Sequence, residues 1–161
     1  MTVRDGFDDD EWRMVLGGPL LAGVAVTAAD PGGLWGGLRE GLALGGALRG
    51  GAAHGSALAD AVIADLEEGA ARAEVLDALK ARTGGAGADA AARAAVADLA
   101  EIARLIDAKA PDVAAGYKAW LREIARKVAE AGTEGGFLGF GGVKVSEAEK
   151  AALADIDAAL A

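Results

Sequence analysis

The segment Ile124 to Leu153, IARKVAEAGTEGGFLGFGGVKVSEAEKAAL, places two predicted helices on either side of a glycine-rich turn. Ser146 stands three positions before Glu149, which is the spacing of a capping box at a helix start. Within the turn, the Phe137–Phe140 loop carries apolar side chains that must either pack under the helices or face a partner. An earlier segment, Leu21–Leu42, repeats this plan in looser form. The two segments together predict an internal two-fold helix-turn-helix repeat.

The composition extends the helical prediction to the whole chain. Hydrophobic residues make up 53% of the sequence, many of them alanine, and only 4% of residues are aromatic. Alanine has the highest helix propensity, and β-branched residues are few. A length of 161 residues suits one domain with a real core. We therefore predict an all-α fold, a single-domain bundle of about five to seven helices over residues 1–161, with residues 1–10 as an acidic, flexible segment.

The first predicted helix runs from Glu11 to Ala29. The acids Asp8–Asp10 favour a helix start, because they face the positive end of its dipole. Pro19, which follows two glycines, predicts a bend, because proline removes a backbone donor. The apolar run Met14–Ala29 has 16 residues, fewer than the roughly 20 that span a bilayer. A buried helix is the favoured interpretation, and contact of this run with lipid stays open.

Later helices are predicted from local boundary signals. Ser56 is a candidate N-cap for a helix, or a helix pair interrupted near Gly69, with an inward stripe of Leu58, Val62, Leu66, Ala70, Ala73, Leu76 and Leu79. A further helix covers Ala88–Ala110, and Pro111 begins the next as a typical first helical residue. That helix presents one apolar face, formed by Val113, Tyr117, Trp120, Ile124 and Val128. We expect the tyrosine and tryptophan of this face in the core, with their polar tips near an edge.

Charge and residue types narrow the function classes. The net charge of −9 argues against nucleic acid and anionic membrane surfaces, which attract basic patches. Without cysteine, and with His54 as the single histidine, thiolate zinc sites and cysteine nucleophiles are excluded. The acidic start MTVRDGFDDDEW does not resemble a secretory signal, so the cytoplasm is the expected location. No recognisable nucleophile or acid–base arrangement is present, so we expect no enzyme activity.

Glycines at a four-residue spacing form a smooth helical face in the segment Gly33–Gly45. Such a face allows close approach of another helix, either inside the same domain or in a membrane or oligomer zipper. Arg39 and Glu40 favour packing inside a domain, because charges in hydrocarbon are costly.

The residues around both turns resemble the TerB-like family of tellurite-resistance proteins. The second half of the chain matches the family pattern AxADGxVSxxE in Val128–Ala131, Glu134-Gly135, Val145-Ser146 and Glu149-Lys150, and the first half matches in Val24–Asp30 with the glycines that follow. The chain departs from the pattern in the longer second turn, in the glutamate at position 134, and in Pro31 with no VSxxE sequence after it. The resemblance implies an all-helical fold and acidic turns that bind a divalent metal.

The resemblance implies a metal site made of Asp30, Glu134, Glu147 and Glu149, with the cap or first-turn acid of a helix as the alternative role for each. Oxygen ligands suit calcium, magnesium or manganese. The expected function is a non-enzymatic TerB-like binding module in a stress-response or envelope-associated assembly. The alternative is a structural or oligomerising protein that uses Gly33–Gly45 and Phe137–Phe140 as contact surfaces. Both expectations include a protein partner or self-association and no transmembrane span, and both leave peripheral membrane association open.

Overall fold

The computed structural model describes residues 2–28, 55–83, 85, 87–134 and 145–161. These residues form a short 3-10 helix, Val3–Gly6, and six α-helices, which are α1 (Asp9–Thr27), α2 (Ala57–Glu67), α3 (Gly69–Thr83), α4 (Ala88–Lys109), α5 (Pro111–Glu134) and α6 (Glu147–Ala159). The described ranges contain no strand, so the predicted all-α class is confirmed. Gly33–Gly45, His54 and Phe137–Phe140 lie outside them, as do both turns of the predicted repeat, which stays a prediction.

Helix α1 is the central helix of the bundle. Every residue from Val15 to Val26 is buried, and α1 packs against α4, α5 and α6. A helix that is apolar on all sides belongs in an interior, which explains the long apolar run of the sequence. None of the helices in the described ranges is long and apolar enough to cross a membrane.

The helix starts predicted from the sequence are confirmed. Asp8 accepts a hydrogen bond from the Glu11 N–H at 2.9 Å, and the Glu11 carboxylate accepts one from the Asp8 N–H at 2.8 Å. Ser56 caps α2, and Ser146 begins α6 with the predicted capping box. Helix α1 begins two residues earlier than predicted, because Asp8, the first of the three acids, is its cap.

The acidic segment before α1 is attached to the core. Residues 3–6 form the 3-10 helix, and the Phe7 ring lies 5.8 Å from the Trp12 ring, centroid to centroid. Trp12 donates a hydrogen bond from Nε1 to Asp65 of α2 at 2.7 Å. The 3-10 helix contacts α2 and Phe7 contacts Trp12 of α1, so this segment lies against both helices.

The Tyr117 hydroxyl of α5 supplies a hydrogen bond that α1 lacks because residue 19 is proline. Proline has no N–H, so the Val15 carbonyl lacks its usual donor four residues later. The Tyr117 hydroxyl donates to this carbonyl oxygen at 2.6 Å. A Cβ on Gly18 would lie 2.4 Å from the same hydroxyl, so only glycine leaves room for it. Helix α1 thus continues through the Gly17-Gly18-Pro19 sequence as one element.

The aromatic residues of α5 lie deeper than predicted. Tyr117 and Trp120 are both fully buried, so the expectation of polar tips near an edge is wrong. Their rings meet edge to face at 5.6 Å, and burial raises the pKa of the Tyr117 phenol far above its ordinary range. Among the described residues no hydrogen-bond partner faces Trp120 Nε1. The hydrogen bond from the Tyr117 hydroxyl to α1 places this face of α5 in the interior. No local sequence pattern predicts that bond, because its two residues are far apart in the chain.

The predicted pair of helices around Gly69 is confirmed, but the apolar stripe is only half right. Leu58, Val62 and Leu66 are buried in α2. In α3 the buried residue is Val75, whereas Ala70 and Ala73 are exposed. The break between α2 and α3 changes the helical register, so one continuous stripe does not extend across both.

Candidate functional site

The four predicted metal ligands divide between described and undescribed parts of the chain. Asp30 lies outside the described residues, and Glu134 is the last residue of α5 with its side chain outside them as well. Glu147 and Glu149 both lie in the first turn of α6. Within the described ranges no three acidic or histidine side chains form a group suited to a metal ion.

The two described carboxylates are already occupied within their own helix. Glu149 accepts a hydrogen bond from the Ser146 N–H at 2.7 Å and is only 7% exposed. Glu147 pairs with Lys150 at 2.6 Å. These residues act as the helix cap and first-turn acid that the sequence also allowed. The predicted metal site stays a prediction, because Asp30 and the Glu134 side chain lie outside the described residues.

A different site is present where α1, α3 and α4 meet. A cleft of about 190 Å³, here called the α3 cleft, has an apolar lining from Met14, Gly17 and Leu21 of α1, Val75 and Leu79 of α3, and Ile102 of α4. Met14, at the rim, is the large hydrophobic side chain that stands exposed among the described residues. Gly17 contributes space, because a Cβ there would meet only Leu21, at an ordinary 3.7 Å.

Two ion pairs connect α3 to its neighbours across the cleft. Arg13 of α1 contacts Glu74 of α3 at 2.7 Å, and Arg82 of α3 contacts Asp98 of α4 at 2.7 Å. Three of these side chains are more than half exposed, so each pair adds little to stability. Helix α3 is therefore held over the cleft by the buried Val75, by weak electrostatic contacts, and by partly buried side chains that pack against the core, which are Ala71, Leu76 and Leu79.

Asp98 is the exception among the charged residues of the cleft, because its side chain is only 14% exposed. Burial raises the pKa of the Asp98 carboxyl, and the attraction of Arg82 does not fully offset this effect. Glu101 on the same helix raises it further by repulsion. The ionised form of Asp98 is therefore less favourable in the folded protein than in water, even with Arg82 beside it. Such residues in clefts are candidates for functional sites.

The size of the cleft limits what it can hold. Ligand sites for drug-sized molecules measure about 300 to 1,000 Å³, whereas an apolar cavity of about 150 Å³ binds benzene. The α3 cleft therefore suits one ring or a branched aliphatic group of similar volume.

None of the four charged residues of the cleft stands out in the sequence. The available signal is in α4, where Asp98 lies three positions after the buried Ala95 and four before the buried Ile102. Residues at these spacings share a helix face, so this acid is placed next to the core. The opposing residues of α1 and α3 are far away in sequence.

Comparison with known proteins gives no family for this chain, since no protein-family model, curated protein or solved structure matches it.

Proposed function

We propose that this chain is a non-enzymatic binding module and that the α3 cleft is its ligand site. The observation that carries the proposal is the apolar cleft itself, open at the rim beside Met14 and lined by Val75 and Ile102. Its charged residues form two ion pairs, an arrangement that orients a ligand and does not resemble a nucleophile with its base.

The structure of α3 supports this proposal. Val75 is its one buried apolar side chain among the described residues, and its other described side chains are exposed or half-buried. Helices with few buried contacts open at low free energy, which is typical of elements next to ligand sites. A small displacement of α3 would enlarge the cleft without disturbing the packing of α1 against α5.

The test is a nuclear magnetic resonance titration with benzyl alcohol, a neutral molecule with one ring. We expect saturable shifts of the backbone amides of Gly17, Val75 and Ile102, with little change in α6. Shifts that spread evenly over the surface, or no saturable shift, would overturn the proposal.

A pair of matched variants makes the test specific. Gly17→Leu extends a side chain into the cleft and should abolish the saturable shifts. Gly69→Leu is the same substitution at a position where a Cβ meets nothing within 4 Å, and it should leave them in place. Melting temperatures of both variants report whether the fold is intact.

The TerB-like resemblance, with the divalent cation and the stress-response or envelope assembly that it implies, is a separate proposal that needs a separate measurement. Elemental analysis of purified protein, with melting curves in calcium, magnesium and manganese, tests it, because a cation that binds only the folded form must raise its melting temperature. Sedimentation at several concentrations tests the alternative, self-association.

A further inference from the structure

We infer that the α3 cleft selects a small organic cation, one apolar ring or branched group carrying an ammonium group that takes the place of Arg82 beside Asp98. This inference rests on the proposed function and adds the chemical class of the ligand. It follows from the position of Asp98, the exposure of Arg82 and the balance of charge around the cleft.

Asp98 is the polar group best placed to orient a ligand. Its side chain lines the cleft, is 14% exposed, and lies on the same helix face as Ile102 of the apolar lining. A carboxylate removed from water gains more from a cation than an exposed carboxylate does. A ligand ammonium at this position would therefore be bound more strongly than one at the surface.

Arg82 can leave this position with little loss. Its side chain is 64% exposed, and it reaches Asp98 from α3 through one hydrogen bond at 2.7 Å. An ion pair with an exposed partner contributes little, and the guanidinium regains water when it turns outward. A ligand cation would restore the charge balance of Asp98.

The surrounding charges favour a cation over an anion. At the other end of the cleft Arg13 is shared between Asp10 and Glu74, at 2.7 Å from each. Glu101 adds a carboxylate near Asp98. Carboxylates thus outnumber arginines around the described cleft, and the whole chain carries a net charge of −9. A negative field attracts cations and repels anions of equal size.

The experiment compares three probes with the same ring, which are benzylamine, benzyl alcohol and phenylacetate. At pH 7 the amine is protonated, as lysine is, and the acid is ionised. Each is titrated into the full chain, and the dissociation constants are taken from the shifts of the cleft amides. We expect benzylamine to bind about five- to tenfold more tightly than benzyl alcohol, as a charge-assisted hydrogen bond would give. Phenylacetate should bind most weakly.

Two variants test the assigned residue. Asp98→Asn keeps the shape of the side chain and should make benzylamine and benzyl alcohol bind equally. Arg82→Gln removes the competing cation, so it should lower the dissociation constant of benzylamine and leave that of benzyl alcohol unchanged. Asp89→Asn, the same change at an exposed aspartate of α4 outside the cleft lining, is the control for the first. Arg93→Gln, at an exposed arginine of α4 outside the cleft lining, is the control for the second. Both controls should leave the preference for the amine nearly unchanged.

The outcomes separate the inference from the proposed function. Equal binding of the amine and the alcohol, or tightest binding of the anion, would overturn the inference and leave the cleft as a ligand site. Weaker benzylamine binding by Arg82→Gln would also overturn it. Failure of all three probes to bind would overturn the proposed function as well. If Asp98→Asn does not fold, the comparison of Arg82→Gln, which should bind benzylamine more tightly, with Arg93→Gln, which should bind it as the parent protein does, still decides the matter.

Discussion

Replacing Tyr117 with phenylalanine should destabilise the protein through a carbonyl that lies 102 residues away in sequence. The phenol is fully buried and donates to the Val15 carbonyl, which lacks its helical donor because residue 19 is proline. Removing the hydroxyl leaves that buried acceptor unsatisfied. We expect Tyr117→Phe to lower the free energy of unfolding by about 1 to 3 kcal/mol.

The physical reason can be isolated with a second substitution. Pro19→Ala restores an N–H where α1 needs one, so the Val15 carbonyl gains a donor within its own helix. In that background Tyr117→Phe should cost much less. We expect the two substitutions to be coupled by about 1 to 2 kcal/mol, within the range seen for residues that share a partner. Pro111→Ala is the matched control, because Pro111 is the first residue of α5, where no intrahelical donor is lost.

The assay is urea unfolding of the four proteins of the cycle, followed by far-ultraviolet circular dichroism and analysed with a common slope. The cycle with Pro111→Ala should give no coupling above about 0.5 kcal/mol. If the cycle with Pro19→Ala also gives none, the phenol does not compensate for the proline and the reasoning about α1 is wrong.

Three further results are expected from the same unfolding assay. Gly17→Ala should stabilise the protein by up to about 1 kcal/mol, because alanine has the higher helix propensity. Gly18→Ala should destabilise it by about 1 to 3 kcal/mol, because the added methyl collides with the Tyr117 hydroxyl. Equal effects of the two substitutions would contradict the close approach of Tyr117 to Gly18. Since burial raises the pKa of Asp98 above its unfolded value, the folded state binds this proton more tightly, and stability falls as the pH rises from the unfolded pKa to the folded one. Asp98→Asn should therefore be more stable than the parent protein at pH 7, with an advantage that disappears in acid; a constant difference across pH would contradict this. Ser146→Ala should cost about 1 kcal/mol by removing the cap of α6, and Glu149→Gln, which keeps an acceptor for the capping box, should cost less.

The helix boundaries could be predicted because their signals are local. A cap and its partner are three residues apart, so Ser146 with Glu149 predicts the start of α6 without any tertiary information. Pro111 marks the start of α5 in the same way. The burial of Tyr117 could not be predicted, because it depends on a proline in another helix. The predicted burial of Ala70 and Ala73 was wrong, because the break before α3 changes which face of the helix turns toward the core.

The candidate site was much less accessible from the sequence. Acidic residues at predicted turns suggested a metal site, which stays a prediction; in the described part of it, Glu149 completes the capping box of α6 and Glu147 pairs with Lys150. The cleft depends on three helices whose contributing residues, such as Gly17 and Ile102, are distant in the chain. The spacing of apolar residues predicts which face of each helix is buried, but it does not show where packed helices leave a cleft between them.

The bond between Tyr117 and Val15 also has a consequence for synthesis of the protein. Helix α1 is made before the other described α-helices, and its middle contains two glycines and a proline, so it is a poor helix by itself. The contact that completes it involves a residue made 102 positions later. Until α4 and α5 have been made, this apolar segment lacks the two helices that it packs against most, and contacts of such long range slow folding. The nascent chain should therefore depend on chaperones, which bind exposed apolar segments, until α5 has emerged from the ribosome.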